Sequence, residues 1–72
     1  MDIKVKLGAK LKQLRKYKNQ SQEKFALSIE MDRTYYASVE SGKRNVSLDN
    51  LYKISQGFNV SLSILFKNID DK

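Results

Sequence analysis

The chain has 72 residues, which is enough for one small domain. It contains no cysteine and no histidine, which excludes disulfides, thiolate metal sites and the usual histidine-based nucleophiles. Fourteen Lys and Arg against eight Asp and Glu give a formal charge of +6, which suits a polyanionic partner, although a cationic surface also keeps small proteins soluble.

The first predicted helix lies near the start of the chain. Its apolar residues recur at helical spacing while lysines occupy the other faces, which predicts an amphipathic helix that ends near Asn19. The apolar face consists of Ile3, Leu7, Leu11 and Leu14.

Two short helices joined by a brief turn are predicted next. Ser21 can cap the second helix and Asp32 the third, because each side chain can accept a hydrogen bond from a free amide of the turn that follows. Tyr36 and Val39 are three residues apart, so both should face the core from the third helix. Gly42 supplies the left-handed residue that ends this helix.

Two further caps predict the last two helices. Ser47 precedes a fourth helix that Gly57 ends or bends, and Ser61 precedes a short fifth helix containing Leu62 and Leu65. No segment shows the alternation of a strand, and the polar end, 68–72, is expected to fray. The prediction is one all-α domain of five helices over residues 1–72.

The apolar runs of the sequence are short. Ile64-Leu65-Phe66 is far below the roughly 20 residues that a membrane span requires, and the first twelve residues lack a continuous apolar signal segment. We therefore expect a soluble cytoplasmic protein with no membrane partner. A chain of this size buries only about 60% of its unfolded surface, so association with a second copy is also expected.

Residues about 21–41 have the order of a helix-turn-helix unit, with a glycine and a basic loop after it. Specific sequences accompany this order: Ser-Gln-Glu-Lys-Phe-Ala at 21–26, Asp-Arg-Thr-Tyr at 32–35 and Val-Glu-Ser-Gly-Lys-Arg at 39–44. From about Leu7 to Phe66 the chain resembles the Cro and phage-repressor (XRE) family. Residues 32–35 and 44–47 are similar, more narrowly, to the controller proteins of restriction-modification systems.

The resemblance implies a lambda-repressor-like fold and a sequence-specific, DNA-binding regulator of transcription in a bacterial or phage setting, associated with the nucleoid. It also implies a homodimer on a near-palindromic operator of double-stranded DNA, with RNA polymerase as a further candidate partner. No cofactor and no metal are implied.

The resemblance makes 32–41 the recognition helix, which faces the major groove. Its candidate base-reading residues are Arg33, Thr34, Tyr35 and Ser38. The candidate ligands of the DNA backbone are Gln22, Lys43, Arg44 and Asn45. Arg33 is the foremost base reader, because a guanidinium fork matches the two acceptors of guanine.

Each of these assignments has a plainer alternative. Arg33 could contact phosphate or carry a solvated charge, and Thr34 could serve only as a helix-start residue. Ser38 could be an ordinary surface residue, and Tyr35 could be partly buried with its hydroxyl in water. Gln22 could simply occupy the first turn of its helix, and 43–45 could form a solvated loop.

Two structural roles also follow from the resemblance. Arg15 and Glu40 are expected to form an ion pair between the first helix and the recognition helix, which fixes orientation more than it adds stability. The apolar residues near the end of the chain exceed what one small core needs. Those assigned to a symmetric dimer interface are Phe58, Ile64 and Phe66.

The sequence departs from the family at two positions. Glu30 stands where the family usually has glycine in the turn between the two short helices, and Val46 stands where proline is frequent. A left-handed conformation at Glu30 would cost about 1 kcal/mol or more. The two departures affect the local geometry of the turns and remove no expected DNA contact.

Other functions fit the sequence to different degrees. An antitoxin or a phage-type repressor would share the fold and the mode of DNA binding. A protein-interaction or coactivator module would use the same helices against protein, without sequence preference and with weak salt dependence. An enzyme is disfavoured, because five short helices hardly provide a cleft and the carboxylates suggest no metal cage.

Overall fold

Five α-helices, and no strand, make up the part of the chain that the computed structural model describes, residues 2–70. They are α1 (Ile3–Tyr17), α2 (Gln22–Ser28), α3 (Arg33–Glu40), α4 (Leu48–Gly57) and α5 (Leu62–Phe66). None of these helices has the length and apolar character to cross a membrane. The predicted all-α architecture of five helices is confirmed.

A side-chain cap begins each helix. Four caps are those that the sequence predicts, each accepting a hydrogen bond at 2.9 to 3.1 Å from the amide three residues further on: Ser21, Asp32, Ser47 and Ser61. Asp2, which sequence reasoning did not single out, caps α1 by accepting from the Lys4 amide at 2.9 Å. Each cap contributes about 1 kcal/mol, and the shorter helices need this support because they are unstable in isolation.

The core lies where these helices meet. Helix α1 packs against α3 and α5, α2 packs against α3, and α4 packs against α5. Phe25 stacks on Phe58 with ring centroids 4.0 Å apart, and its ring also contacts Tyr36 at 5.1 Å. Tyr36 and Val39 are buried, as predicted, so one face of α3 is fixed against the rest of the domain.

The structure corrects two predictions about the C-terminal part of the chain. Phe58 was expected at a dimer interface, but it is 3% exposed because its ring fills the core against Phe25. Fraying from Asn68 onward is also wrong for the described residues, since Ile69 is 8% exposed and belongs to the core. The last two residues of that predicted frayed end, Asp71 and Lys72, lie outside the described residues.

Glycines permit two tight features around α3. Gly42 has φ +78° directly after the helix and its cap, as predicted, and its amide donates to the Val39 carbonyl at 3.1 Å. Gly8 lies so close to the end of α3 that a β-carbon there would overlap the carbonyl of Glu40. This close approach brings α1 against the last turn of α3. Helix α4 ends at Gly57, but the left-handed residue that follows it is Asn59, with φ 59°.

The turn between α2 and α3 contains a left-handed residue that is not glycine. Glu30 has φ 55°, and the amides of Glu30 and Met31 close the turn by donating to the carbonyls of Leu27 and Ala26. The left-handed conformation, which glycine adopts most easily, is therefore adopted here by a residue that carries a side chain. Such a conformation costs a side-chain-bearing residue roughly 1–2 kcal/mol.

We predict that Glu30→Gly stabilises the domain. Relief of the left-handed strain exceeds the extra entropy of glycine in the unfolded chain, so the free energy of unfolding should rise by roughly 0.5–1 kcal/mol. Asn59→Gly is the matched control, because Asn59 also has a positive φ but asparagine tolerates it better. Chemical denaturation measures both variants, and an equal gain at the two sites would contradict the argument.

Candidate nucleic-acid interface

The first turn of α3 presents polar side chains to solvent. The Arg33 side chain is 64% exposed and Thr34 is also exposed, whereas Tyr36 and Val39 on the opposite face lie in the core. The exposed face continues toward Ser38, which is half-buried. Thr34 and Ser38, four residues apart, therefore share one face of α3, and Arg33 is exposed next to Thr34 at the start of the helix.

A shallow groove separates the start of α2 from the start of α3. Ser21, Gln22 and Glu23 line one side of it, and Arg33, Thr34 and Ala37 line the other, with Arg15 alongside. Gln22 Nε2 donates a hydrogen bond to Glu40 Oε1 at 3.0 Å, so this predicted backbone ligand is tied to the last turn of α3. The groove thus brings one predicted backbone ligand next to two predicted base readers.

An exposed ion pair crosses this groove. Arg33 Nη1 donates to Glu23 Oε1 at 3.2 Å, with the two side chains 64% and 62% exposed. Sequence reasoning missed Glu23. The two residues are ten positions apart on different helices, so no helical spacing pairs them, and only the angle between α2 and α3 brings them together.

A second cluster joins Tyr35 and Ser38 of α3 to the basic loop. The Arg44 guanidinium lies over the Tyr35 ring, 5.0 Å from its centroid, and Arg44 Nε donates to Ser38 Oγ at 3.0 Å. Ser38 Oγ also donates to the Tyr35 carbonyl at 2.6 Å. The Ser38 hydroxyl is thereby committed to its own helix and to Arg44, an arrangement that favours a supporting role over base reading.

Asn50 completes this cluster from α4. Its side-chain Nδ2 donates to the Tyr35 hydroxyl at 3.1 Å, so the half-buried Tyr35 connects α3 to α4 as well as carrying Arg44. Sequence reasoning missed Asn50, because nothing in the pattern of α4 distinguishes it from an ordinary surface residue. The other two predicted backbone ligands of the loop, Lys43 and Asn45, are exposed beside Arg44.

A nearly buried ion pair lies behind the groove. Arg15 Nε donates to Glu40 Oε2 at 2.7 Å and Arg15 Nη2 to Glu40 Oε1 at 3.0 Å, with side-chain exposures of 11% and 3%. Arg15 Nη1 also donates to the Gln20 carbonyl at 2.8 Å, which ties the pair to the chain between α1 and α2. The ion pair predicted between α1 and the recognition helix is present.

The protonation of this pair follows from its surroundings. Burial raises the pKa of Glu40, but the hydrogen bonds from Arg15 and other neighbours lower it by more, so the carboxyl has a pKa below its ordinary value. The hydrogen bond with Glu40 likewise raises the pKa of Arg15. Burial raises the pKa of Tyr36 far above its usual range. Tyr36 is buried beside Glu40 and Arg15.

Residues 11–65 match a family model described as helix-turn-helix. The control protein C.MunI of a Mycoplasma species is 60% identical over 70 residues, which cover 96% of this chain and 95% of that protein. The restriction-modification controller protein C.AhdI of Aeromonas hydrophila has a solved structure with 41% identity and a TM-score of 0.84, covering 88% of this chain and 96% of its own.

A third similar structure contains DNA. It is the restriction-modification controller protein C.Esp1396I, solved as a tetramer with its natural 35 base-pair operator. It is 28% identical to this chain with a TM-score of 0.86, and the match covers 99% of this chain and 93% of the controller.

We predict that Arg15 and Glu40 couple energetically. Arg15→Met and Glu40→Gln should each lower the free energy of unfolding by about 3 kcal/mol, because each strands a buried polar partner. The double variant should cost less than the sum of the two. Chemical denaturation of all four proteins measures the coupling, and strict additivity would count against it.

The pH dependence of the same proteins is a second readout. The folded pKa of Glu40 is depressed, so its contribution is present above about pH 5 and is lost as the pH falls through the lowered pKa. The stabilities of the parent and Glu40→Gln should therefore converge in acid. Glu30→Gln, at an exposed carboxylate, is the control, and it should not reproduce that convergence.

Proposed function

Since this chain belongs to the helix-turn-helix family, we propose that it binds DNA and regulates transcription as a control protein of a restriction-modification system. The observation that carries the proposal is the exposed first turn of α3, where Arg33 and Thr34 project from a helix whose other face is held in the core. Similarity to C.MunI over nearly the whole chain supports the restriction-modification setting.

In the proposed complex α3 enters the major groove. Arg33 reads a guanine through its guanidinium fork, with Thr34 beside it. Gln22, at the start of α2, and the exposed Lys43 and Arg44 contact the DNA backbone, where they supply affinity more than specificity. Tyr35 and Ser38 hold Arg44 in place, which accounts for the contacts that they make in the free protein.

We also propose that the protein forms a homodimer, because α5 leaves large apolar side chains exposed. Ile64 and Phe66 of α5 are 43% and 38% exposed, although both are large and apolar. A two-fold dimer that joins these faces would bind a near-palindromic operator with half-sites about 34 Å apart. A dimer that activates transcription would do so by contacting RNA polymerase, the further partner in this proposal.

Other settings make different predictions. A phage-type repressor or an antitoxin would bind DNA in the same way, and the genes beside its own would distinguish it from a control protein. A coactivator module would show neither sequence preference nor steep salt dependence. The DNA-binding experiment below therefore tests the class of function directly.

We predict that Arg33 and Lys43 have separable effects on DNA binding. Arg33→Ala should cost about 1–3 kcal/mol at one base pair of each half-site and relax the preference there. Lys43→Ala should weaken all sequences alike and reduce the slope of log affinity against log salt by about one per contact. The operator is first selected from random DNA, and its single-base variants are then prepared. Titrations of these variants at several salt concentrations measure both effects.

Two results would contradict these assignments. If Arg33→Ala weakened every operator variant equally and kept the base preference, Arg33 would be a phosphate ligand. If the parent protein selected no sequence from random DNA, the proposed regulator function would be wrong.

We predict that Ile64→Asp weakens dimerisation, because it places a charge in a face that a partner copy should cover. Sedimentation velocity should show a higher monomer fraction at equal concentration. Leu27→Asp is the matched control: Leu27 is an exposed apolar residue, 71% exposed, on α2 and not on the proposed α5 interface, so its variant should associate like the parent. Equal association of all three proteins would place the interface elsewhere.

A further inference from the structure

Glu23 contacts the residue that the proposed function makes the foremost base reader. It lies in the first turn of α2, and its carboxylate accepts from Arg33 Nη1 at 3.2 Å across the groove between α2 and α3. The contact uses Nη1, so it does not engage the edge formed by Nε and Nη2. That edge presents two parallel N–H groups, the arrangement that pairs with O6 and N7 of guanine.

An acidic side chain at this position is unfavourable for simple affinity. The chain carries a formal charge of +6, and a carboxylate in the first turn of α2, next to the exposed start of α3, opposes the attraction of DNA phosphates. Its contact with Arg33 compensates for this repulsion by restricting the conformations of the arginine side chain. A long, 64% exposed arginine otherwise samples many rotamers, and ordering it on binding costs free energy.

We propose that Glu23 is a positioning residue that orients Arg33 for guanine and thereby sets base preference at the expense of overall affinity. The proposal rests on the proposed DNA-binding function. Glu23 acts through the Arg33 side chain and needs no contact with a base. Arg33 keeps Nη1 on Glu23 while its other edge forks onto the guanine.

This role has a signature that separates it from plain electrostatics. Loss of the Glu23 charge should tighten binding to all DNA while weakening the discrimination between guanine and the other bases at the position that Arg33 reads. A carboxylate that merely repels phosphate would change affinity alone. A residue that merely stabilises the fold would change the free energy of unfolding and leave the base preference intact.

The test compares Glu23→Gln, which keeps the shape of the side chain, with Glu23→Ala, which removes it. Titrations use the selected operator, the same operator with the Arg33 base pair replaced, and random DNA. Each Glu23 variant should lose about two- to fivefold in discrimination, the range that an exposed ion pair contributes, while its affinity for random DNA rises. Glu30→Gln removes an equal charge in the turn that follows α2, and should leave the discrimination unchanged.

The same Glu23 change is also tested in a variant that lacks the Arg33 guanidinium. In Arg33→Ala, the further change Glu23→Gln should raise overall affinity but have no effect on the base preference. NMR relaxation of the Arg33 Nε–H group in the free protein gives a readout that needs no DNA. This group should become more mobile in Glu23→Gln.

The outcomes separate failure of the inference from failure of the proposed function. If the parent discriminates between the operators and both Glu23 variants discriminate equally well, Glu23 does not position Arg33 and the inference is overturned. If the parent itself shows no base preference, the proposed function fails first, and unchanged mobility of Arg33 in the free protein would then overturn the inference independently.

Discussion

The ion pair between Arg15 and Glu40 is the constraint on which the arrangement of the candidate interface depends. It joins α1 to the last turn of α3. Gln22, at the start of α2, donates a hydrogen bond to the Glu40 carboxylate, and Arg15 donates one to the Gln20 carbonyl in the chain between α1 and α2. Because the pair is bidentate and nearly buried, it fixes an angle as well as a distance. Gly8 makes the pair possible, since a larger residue would push α1 away from the end of α3.

Two surface contacts support the first turn of the recognition helix by different means. At its start, an exposed ion pair connects Arg33 to α2. In the same first turn, the Tyr35 hydroxyl accepts a hydrogen bond from Asn50 of α4, and the Tyr35 ring contacts Arg44 of the basic loop. The first contact is polar and open to solvent, and both of its side chains are accessible to a ligand. The second combines a hydrogen bond with a partly buried ring, so it holds the loop close to the helix.

Much of the fold was predictable because its signals are local. A serine or aspartate before an apolar segment satisfies free amides of the next turn, so Ser21, Asp32, Ser47 and Ser61 marked where four helices begin. Helical spacing placed Tyr36 and Val39 in the core. The motif resemblance supplied the Arg15 and Glu40 pair, which helical spacing alone could not have joined across 25 positions.

The sequence by itself thus determined the helices, four of their five caps and the inward face of α3, because each depends on residues within a few positions of one another. Only the tertiary structure decided which exposed groups meet. The contacts of Arg33 with Glu23 and of Tyr35 with Asn50 depend on the angles between helices, which no local pattern encodes. The packing of the helices likewise decides that Phe58 and Ile69 are buried in the core. An apolar residue shows that it will be covered, but whether its own core or a partner covers it depends on the space that packing leaves.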